Sequence, residues 1–190
     1  MKIYLSILLL TLLCSCNCVE THLTKEEREY FLAYKKGQTI VFKSDRGNID
    51  TILVVEKIET HNNKDCNYFG IGSTQPHVMF ITLKSKICQN DPYCEGEIFI
   101  SKDKENEKCY PGFSFFGLLQ KNDLEYLVPK LEKIKLNITN ITYSEVYCFE
   151  EGINANGYGI NSPKSFCWDK KEGLIRYETH DGEVFELLKK

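Results

Sequence analysis

Short runs of β-branched and aromatic residues, separated by turn-forming residues, fill the sequence from residue 39 to its end. Short strands alternating with turns are typical of an all-β sandwich or barrel. The sequence therefore predicts a mainly β fold, an antiparallel meander that forms a sandwich or a partly open barrel. The predicted strands are residues 39–43, 51–58, 78–85, 97–101, 113–119, 133–138, 141–149, 165–168, 174–178 and 183–188.

One segment, residues 122–131, does not fit this pattern of strands. Leu124, Leu127 and Leu131 have helical spacing, but Pro129 interrupts it. The sequence does not decide whether this segment is a helix or a strand.

One short N-terminal helix is predicted ahead of the first strand. Thr24 is a suitable N-cap, and Glu27 stands three residues later, as in a capping box. Residues 35–37, Lys-Lys-Gly, supply cations and a glycine for the C-terminal end. Three aromatic residues fall on one side of this helix, where we expect them to pack against the core: Tyr30, Phe31 and Tyr34.

The last two predicted strands form a hairpin whose register follows from the loop length. A three-residue loop at residues 180–182, with Gly182 in the left-handed bulge position, makes one face of the hairpin apolar. His180 is then a turn residue rather than a catalytic one. This register pairs Tyr177 with Phe185, Ile175 with Leu187 and Arg176 with Glu186.

The first residues of the chain predict a secretory signal. Lys2 precedes an apolar run at residues 7–13 that only Thr11 interrupts, and small residues follow the run. Because the run is too short to span a bilayer, we interpret residues 1–15 as a signal peptide that is removed.

Leu13, Ser15 and Cys16 stand in the order of a bacterial lipobox, in which the final cysteine is diacylated. The alternative is an ordinary signal peptide with a cysteine-rich end. Two or more acyl chains anchor a protein stably at a membrane. We expect lipid on Cys16, a lipidated tether at residues 16–23 and a single β-rich domain at residues 24–190.

Nine cysteines in a chain of 190 residues indicate an oxidising compartment. Cys14 leaves with the signal, Cys16 takes the lipid and Cys18 lies in the tether. The other six are disulfide candidates, and the sequence does not choose among their pairings: Cys66, Cys88, Cys94, Cys109, Cys148 and Cys167. A loop closed by Cys88 and Cys94 fits the pattern, and so does a bridge between Cys148 and Cys167.

A zinc or redox site is the competing interpretation of the cysteines. The chain has no Cys-x-x-Cys pair, and its histidines show no ligand spacing along the sequence: His22, His61, His77 and His180. The sequence predicts no metal and no cofactor. The formal net charge of −3, with lysines scattered among acids, predicts no nucleic-acid partner.

A family resemblance is carried by turns and strand faces at both ends of the domain. Residues 30–55 contain Tyr-Lys-Lys-Gly, then Phe-Lys-Ser and then Asp-Thr, while residues 173–178 read Gly-Leu-Ile-Arg-Tyr-Glu ahead of Asp-Gly-Glu at residues 181–183. Together with residues 136–147, these stretches resemble small, functionally uncharacterised lipoproteins of the Bacteroidota. The resemblance implies a shared fold and attachment to the outer membrane, and it carries over no functional residue.

The resemblance also bears on residues 50–52, Asp-Thr-Ile, which are similar to the acceptor that Bacteroidota use for O-glycosylation of exported proteins. It implies that Thr51 is a possible glycosylation site. A plain turn followed by a strand explains the same residues.

No nucleophile elbow, phosphate loop, metal motif or paired-carboxylate signature is present in the sequence. The leading hypothesis is a non-enzymatic binding or structural module of the cell envelope, held at the membrane through its lipid and presenting a surface to a protein, glycan or small apolar ligand. An inhibitor or immunity lipoprotein against an envelope-attacking hydrolase is an alternative, with residues 89–97 or 101–112 as its exposed loop. A cysteine-dependent enzyme is the third hypothesis.

Overall fold

The computed structural model describes residues 19–61, 74–86, 95–116, 118–119, 131–150 and 162–190. Within these residues, eleven antiparallel strands form one sheet and two short parallel strands form a second. The prediction of a mainly β fold built from antiparallel meanders is confirmed.

Each predicted run overlaps at least one strand of the structure, and residues 113–119 overlap two. β1 and β4 were not predicted, because a strand of two residues has no alternation to detect. The strands are β1 Val19–Glu20, β2 Thr39–Ser44, β3 Ile49–His61, β4 Thr74–Gln75, β5 His77–Ser85, β6 Glu95–Lys102, β7 Gly112–Phe115, β8 Leu118–Leu119, β9 Leu131–Lys135, β10 Thr142–Glu150, β11 Pro163–Asp169, β12 Gly173–Thr179 and β13 Val184–Lys189.

The large sheet consists of two meanders joined at its centre. One runs through β2, β3, β5, β6, β7 and β8, and the other through β13, β12, β11, β10 and β9. β13 pairs antiparallel with β2, which places Phe185 opposite Ser44 and Leu187 opposite Phe42. The last strand of the chain therefore lies beside the first strand of the large sheet.

Aromatic contacts show that the large sheet folds over onto itself. The ring centroid of Phe113 in β7 lies 4.9 Å from that of Phe149 in β10, and Phe115 lies 5.2 Å from Phe166 in β11. Since these strands are far apart in the sheet order, opposite ends of the sheet face each other across an aromatic core. Among the described residues, the end strands β8 and β9 do not pair with each other, so the sheet curls without closing.

The inward face of β5 belongs to this core. Its residues alternate between buried and half-buried positions along the strand. Met79, Ile81 and Leu83 are the buried apolar members. They pack in one cluster with the other buried apolar side chains of the domain.

The N-terminal helix is present and short. The helix α1, Lys25–Arg28, continues as a 3-10 turn at Glu29–Phe31. The Thr24 side chain accepts from the backbone N–H of Glu27, and the Glu27 side chain accepts from the backbone N–H of Thr24. The predicted capping box is therefore confirmed.

The helical stretch ends at Phe31, so the predicted C-terminal end at residues 35–37 is wrong. The ammonium of Lys57 in β3 donates to the carbonyl oxygens of Phe31 at 2.6 Å and Tyr34 at 2.9 Å. Tyr30, Phe31 and Tyr34 are all buried, so the expected packing role of the aromatic stripe is also confirmed.

The C-terminal hairpin has the predicted register. Arg176 lies opposite Glu186 and Tyr177 lies opposite Phe185. Gly182 has a φ of +80°, the left-handed conformation that the bulged loop requires. His180 is an exposed turn residue.

Cysteine pairing is described for half of the six disulfide candidates. Cys148 and Cys167 are opposite each other in β10 and β11 and form a disulfide. Cys109 has a free, half-buried thiol, so the expectation that it joins a bridge is corrected. Cys66, Cys88 and Cys94 lie outside the described residues, as do Cys16 and residues 122–130.

We expect the double substitution of Cys148 and Cys167 by alanine to lower the free energy of unfolding by about 3 kcal/mol. The bridge joins residues 19 apart in sequence, and a loop of this size restricts the unfolded chain by about that much. Urea unfolding followed by the fluorescence of the chain's single, buried tryptophan, Trp168, measures the change. Cys109→Ala is the control, and a double variant no less stable than this control would contradict the prediction.

Candidate metal centre

The segment ahead of the helix is held against the domain by backbone pairing. β1 runs parallel to β4, and the backbone N–H of Thr21 donates to the carbonyl of Gln75 at 3.1 Å. The buried Thr21 hydroxyl donates to the carbonyl of Lys102 and accepts from the N–H of His77 at 3.1 Å. The folded domain therefore begins ahead of residue 24, and the position of His22 is set by ordered backbone on both sides.

Two further histidines lie opposite each other where β3 ends and β5 begins. His61 is the last residue of β3, His77 is the first residue of β5, and the two are direct cross-strand partners. Their rings stack with centroids 4.6 Å apart and an interplanar angle of 30°. Adjacent strands thus present two imidazoles side by side at one end of the sheet.

His22 completes a group of three imidazoles, the histidine cluster of His22, His61 and His77. The Nδ1 atom of His22 lies 3.4 Å from the Nε2 atom of His61. One nitrogen from each of the three rings lies within 4.8 Å of the others. His22 is exposed, His61 is half-buried and His77 is buried, so the cluster runs from the protein surface into the domain.

Hydrogen bonds fix the orientation of the buried ring. The Nδ1 atom of His77 accepts from the backbone N–H of Leu23 at 3.1 Å, while its Nε2 atom lies 3.1 Å from the carboxylate of Glu59. Neutral His77 therefore carries its proton on Nε2 and donates to Glu59. Glu59 also forms an ion pair with Arg28 at 2.7 Å.

The pKa of His77 is lowered from its ordinary value. Burial disfavours the imidazolium, nearby His61 acts in the same direction, and the contact with Glu59 opposes both. His77 is therefore neutral at pH 7. A neutral imidazole is the form that binds metal ions.

The sequence did not point to this cluster. His22 and His61 are 39 residues apart, and the predicted ends of β3 and β5 stopped at residues 58 and 78, short of the two strand histidines. With β3 extended to His61 and β5 begun at His77, the hairpin register would have placed the two imidazoles together. Only the docking of the N-terminal segment adds the third.

The free thiol of Cys109 lies beside a buried ion pair. The ammonium of Lys102 donates to a carboxylate oxygen of Glu27 at 2.8 Å, and the same oxygen accepts from the backbone N–H of Cys109 at 3.0 Å. Burial, and then the nearby Glu27 carboxylate, raise the pKa of the Cys109 thiol to about 12. The thiol is protonated at neutral pH, whereas nucleophilic catalysis uses the thiolate.

Asp50, in the predicted glycosylation sequence, is buried within a polar network. Its carboxylate accepts from the hydroxyls of Ser85 at 2.9 Å and Tyr177 at 2.7 Å. Thr51 is half-buried in β3, opposite Val41 in β2. The network gives Asp50 a structural role, and glycosylation of Thr51 stays a prediction.

No protein-family model, no curated protein and no solved structure matches the chain. Of the helices in the described ranges, none is long and apolar enough to cross a bilayer.

Proposed function

We propose that this protein is a lipid-anchored, non-enzymatic binding module of the cell envelope, attached through Cys16 to the outer membrane. The lipobox order of Leu13, Ser15 and Cys16 at the end of an apolar run supports the anchor. The disulfide between Cys148 and Cys167 suits an oxidising compartment outside the cytoplasm. The partner is a protein, a glycan or a small apolar ligand.

The observation that carries this proposal is the short chain between the lipobox cysteine and the folded domain. Cys16 precedes β1, Val19–Glu20, by only three residues, and β1 is already paired with β4. Three residues span at most about 10 Å, so a lipid on Cys16 would hold this end of the domain at the bilayer surface. An anchor this short suits a module that works beside the membrane.

The surroundings of Cys109 favour binding over cysteine-dependent catalysis. Its thiol is half-buried, and the adjacent Glu27 carboxylate opposes formation of the thiolate. The nearby Lys102 ammonium lowers the thiol pKa, as cations do beside activated cysteines, but burial and Glu27 outweigh it.

The anchor is tested by intact-mass spectrometry of the protein purified from its own membranes. We expect removal of residues 1–15 and a mass increment for two or three acyl chains, together with recovery in the membrane fraction. The Cys16→Ser variant should lack the increment and leave the membrane, because the lipid has no attachment point.

Cys18→Ser is the matched control, since it removes a thiol two residues away and leaves the lipobox intact. It should be acylated like the unaltered protein. An unacylated mass for the unaltered protein, or acylation that persists in Cys16→Ser, would refute the proposed anchor.

A further inference from the structure

We propose that the histidine cluster, His22, His61 and His77, is a binding site for a divalent transition-metal ion of the zinc and copper class. Neutral imidazole is a good ligand for both ions. The inference concerns the folded domain itself and does not depend on the lipid anchor.

The distances within the cluster suit a tetrahedral ion. Zinc–nitrogen bonds are about 2.0–2.1 Å long, so two ligand nitrogens of a tetrahedral site lie roughly 3.3–3.4 Å apart. The Nδ1 atom of His22 and the Nε2 atom of His61 are already 3.4 Å apart. One nitrogen of each of the three rings lies within 4.8 Å of the others, so all three rings are near enough for side-chain adjustment to bring them around one ion.

The backbone positions of the three residues are set before any ion binds. His61 and His77 are held by the pairing of β3 with β5, and the chain at His22 is held by hydrogen bonds of Thr21 and Leu23. Little chain order has to be gained when the ion binds, so little of the binding free energy is lost to ordering.

The hydrogen bonds of His77 decide which of its nitrogens meets the ion. Nδ1 accepts from the N–H of Leu23, which leaves Nε2 for coordination in place of its proton. Coordination breaks the contact between Nε2 and Glu59, but Glu59 keeps its ion pair with Arg28 at 2.7 Å. The exchange therefore leaves Glu59 with a counter-ion.

Carboxylates near the cluster favour a cation. Glu59 lies 3.1 Å from the Nε2 atom of His77, and Glu105 accepts from the backbone N–H of His22 at 2.7 Å. Arg28 is the cation paired with Glu59. Three imidazoles leave one position of a tetrahedral ion for water, an outside ligand or Glu59, and the exposure of His22 opens that position to solvent.

The test is isothermal titration calorimetry with zinc chloride on the full-length protein, purified in detergent and freed of metal with a chelator. We expect one ion to bind per chain. His22→Gln should weaken binding about 100-fold or more, because loss of a direct ligand exceeds the 10- to 100-fold cost of losing a supporting contact. His22 is exposed, and unchanged Trp168 fluorescence will show that the variant folds.

His180→Gln is the matched control, since it removes an exposed imidazole from a turn outside the cluster, and its affinity for zinc should equal that of the unaltered protein. His61→Gln is the second cluster variant and should weaken binding as His22→Gln does. X-ray absorption of the zinc-loaded protein should show imidazole nitrogens at about 2.0 Å. Absence of one-to-one binding, or equal affinities in His22→Gln, His61→Gln and His180→Gln, would overturn the proposal.

Discussion

Glu27→Gln should lower the free energy of unfolding by about 3–5 kcal/mol. Glu27 and Lys102 are almost completely buried, and Lys102 donates to Glu27 at 2.8 Å and to the carbonyl of Glu107 at 2.5 Å. Removing one charge of a buried pair leaves the other buried without its counter-ion, and this typically destabilises a protein by about 3–5 kcal/mol. Urea unfolding followed by Trp168 fluorescence measures the loss.

The neighbouring Glu26→Gln is the matched control. Glu26 is exposed and lies 3.4 Å from Lys108, also exposed, and surface pairs of this kind contribute about 0–1 kcal/mol. Equal stability of the two variants would show that burial does not govern the Glu27 pair. The double variant Glu27→Met with Lys102→Met should be more stable than Glu27→Gln, because it leaves no unpaired buried charge.

The carboxyl group of Glu27 should also make the stability of the domain depend on pH. Burial alone would raise the pKa of Glu27, but hydrogen bonds from Lys102, Cys109 and Thr24 outweigh it and lower the pKa from 4.5 to about 2. The stabilisation is therefore complete well above pH 4.5 and is lost as pH falls from 4.5 towards 2.

This shift corresponds to a stabilisation on the order of 3 kcal/mol. Glu27→Gln should lose much less stability across the same pH range, because it has no carboxyl group to protonate there. Parallel loss of stability in both proteins, measured by urea unfolding at several pH values, would assign the acid sensitivity to other groups.

Gly173→Ala should destabilise the domain by about 4 kcal/mol. Gly173 is buried with a φ of +79°, and a Cβ atom there would lie 2.5 Å from the ring of Tyr34. The left-handed conformation costs an L-residue about 1–2 kcal/mol, and forced overpacking adds about 1–3 kcal/mol. Displacing Tyr34 would also break the 2.7 Å hydrogen bond that its hydroxyl accepts from the N–H of Leu174.

Gly37→Ala separates the two causes. Gly37 has nearly the same φ, +81°, but a Cβ atom there would meet nothing within 4 Å. Gly37→Ala should lower the free energy of unfolding by only about 1–2 kcal/mol, the cost of the left-handed conformation for an L-residue. Thermal and urea unfolding of the two variants compare them directly, and equal losses would show that contact with Tyr34 contributes nothing.

Predictions from sequence succeeded where the decisive residues are close together along the chain. The alternation of β5 is contained within His77–Ser85, and the capping box of Thr24 and Glu27 spans three residues. The hairpin register followed from the position of Gly182 and the apolar faces on either side of it. In each case local backbone sterics and side-chain periodicity are sufficient to select the structure.

Features that depend on residues far apart in the chain could not be predicted from local sequence patterns. Lys102 lies 75 residues from Glu27, and each looks like an ordinary surface charge in its own segment. Pairing of β13 with β2 likewise joins the two ends of the domain. The free state of Cys109 depends on which elements surround it, and a count of cysteines does not contain that information.

The longer strands, the helix cap, the C-terminal hairpin and the lipobox segment could be predicted from the sequence alone, because their signals lie in residues close together along the chain. The histidine cluster and the buried Glu27–Lys102 pair exist only after folding. His22 joins His61 across 39 residues, through the pairing of β3 with β5 and the docking of the N-terminal segment. Tertiary structure made this candidate site, because coordination depends on distances in space rather than spacing along the chain.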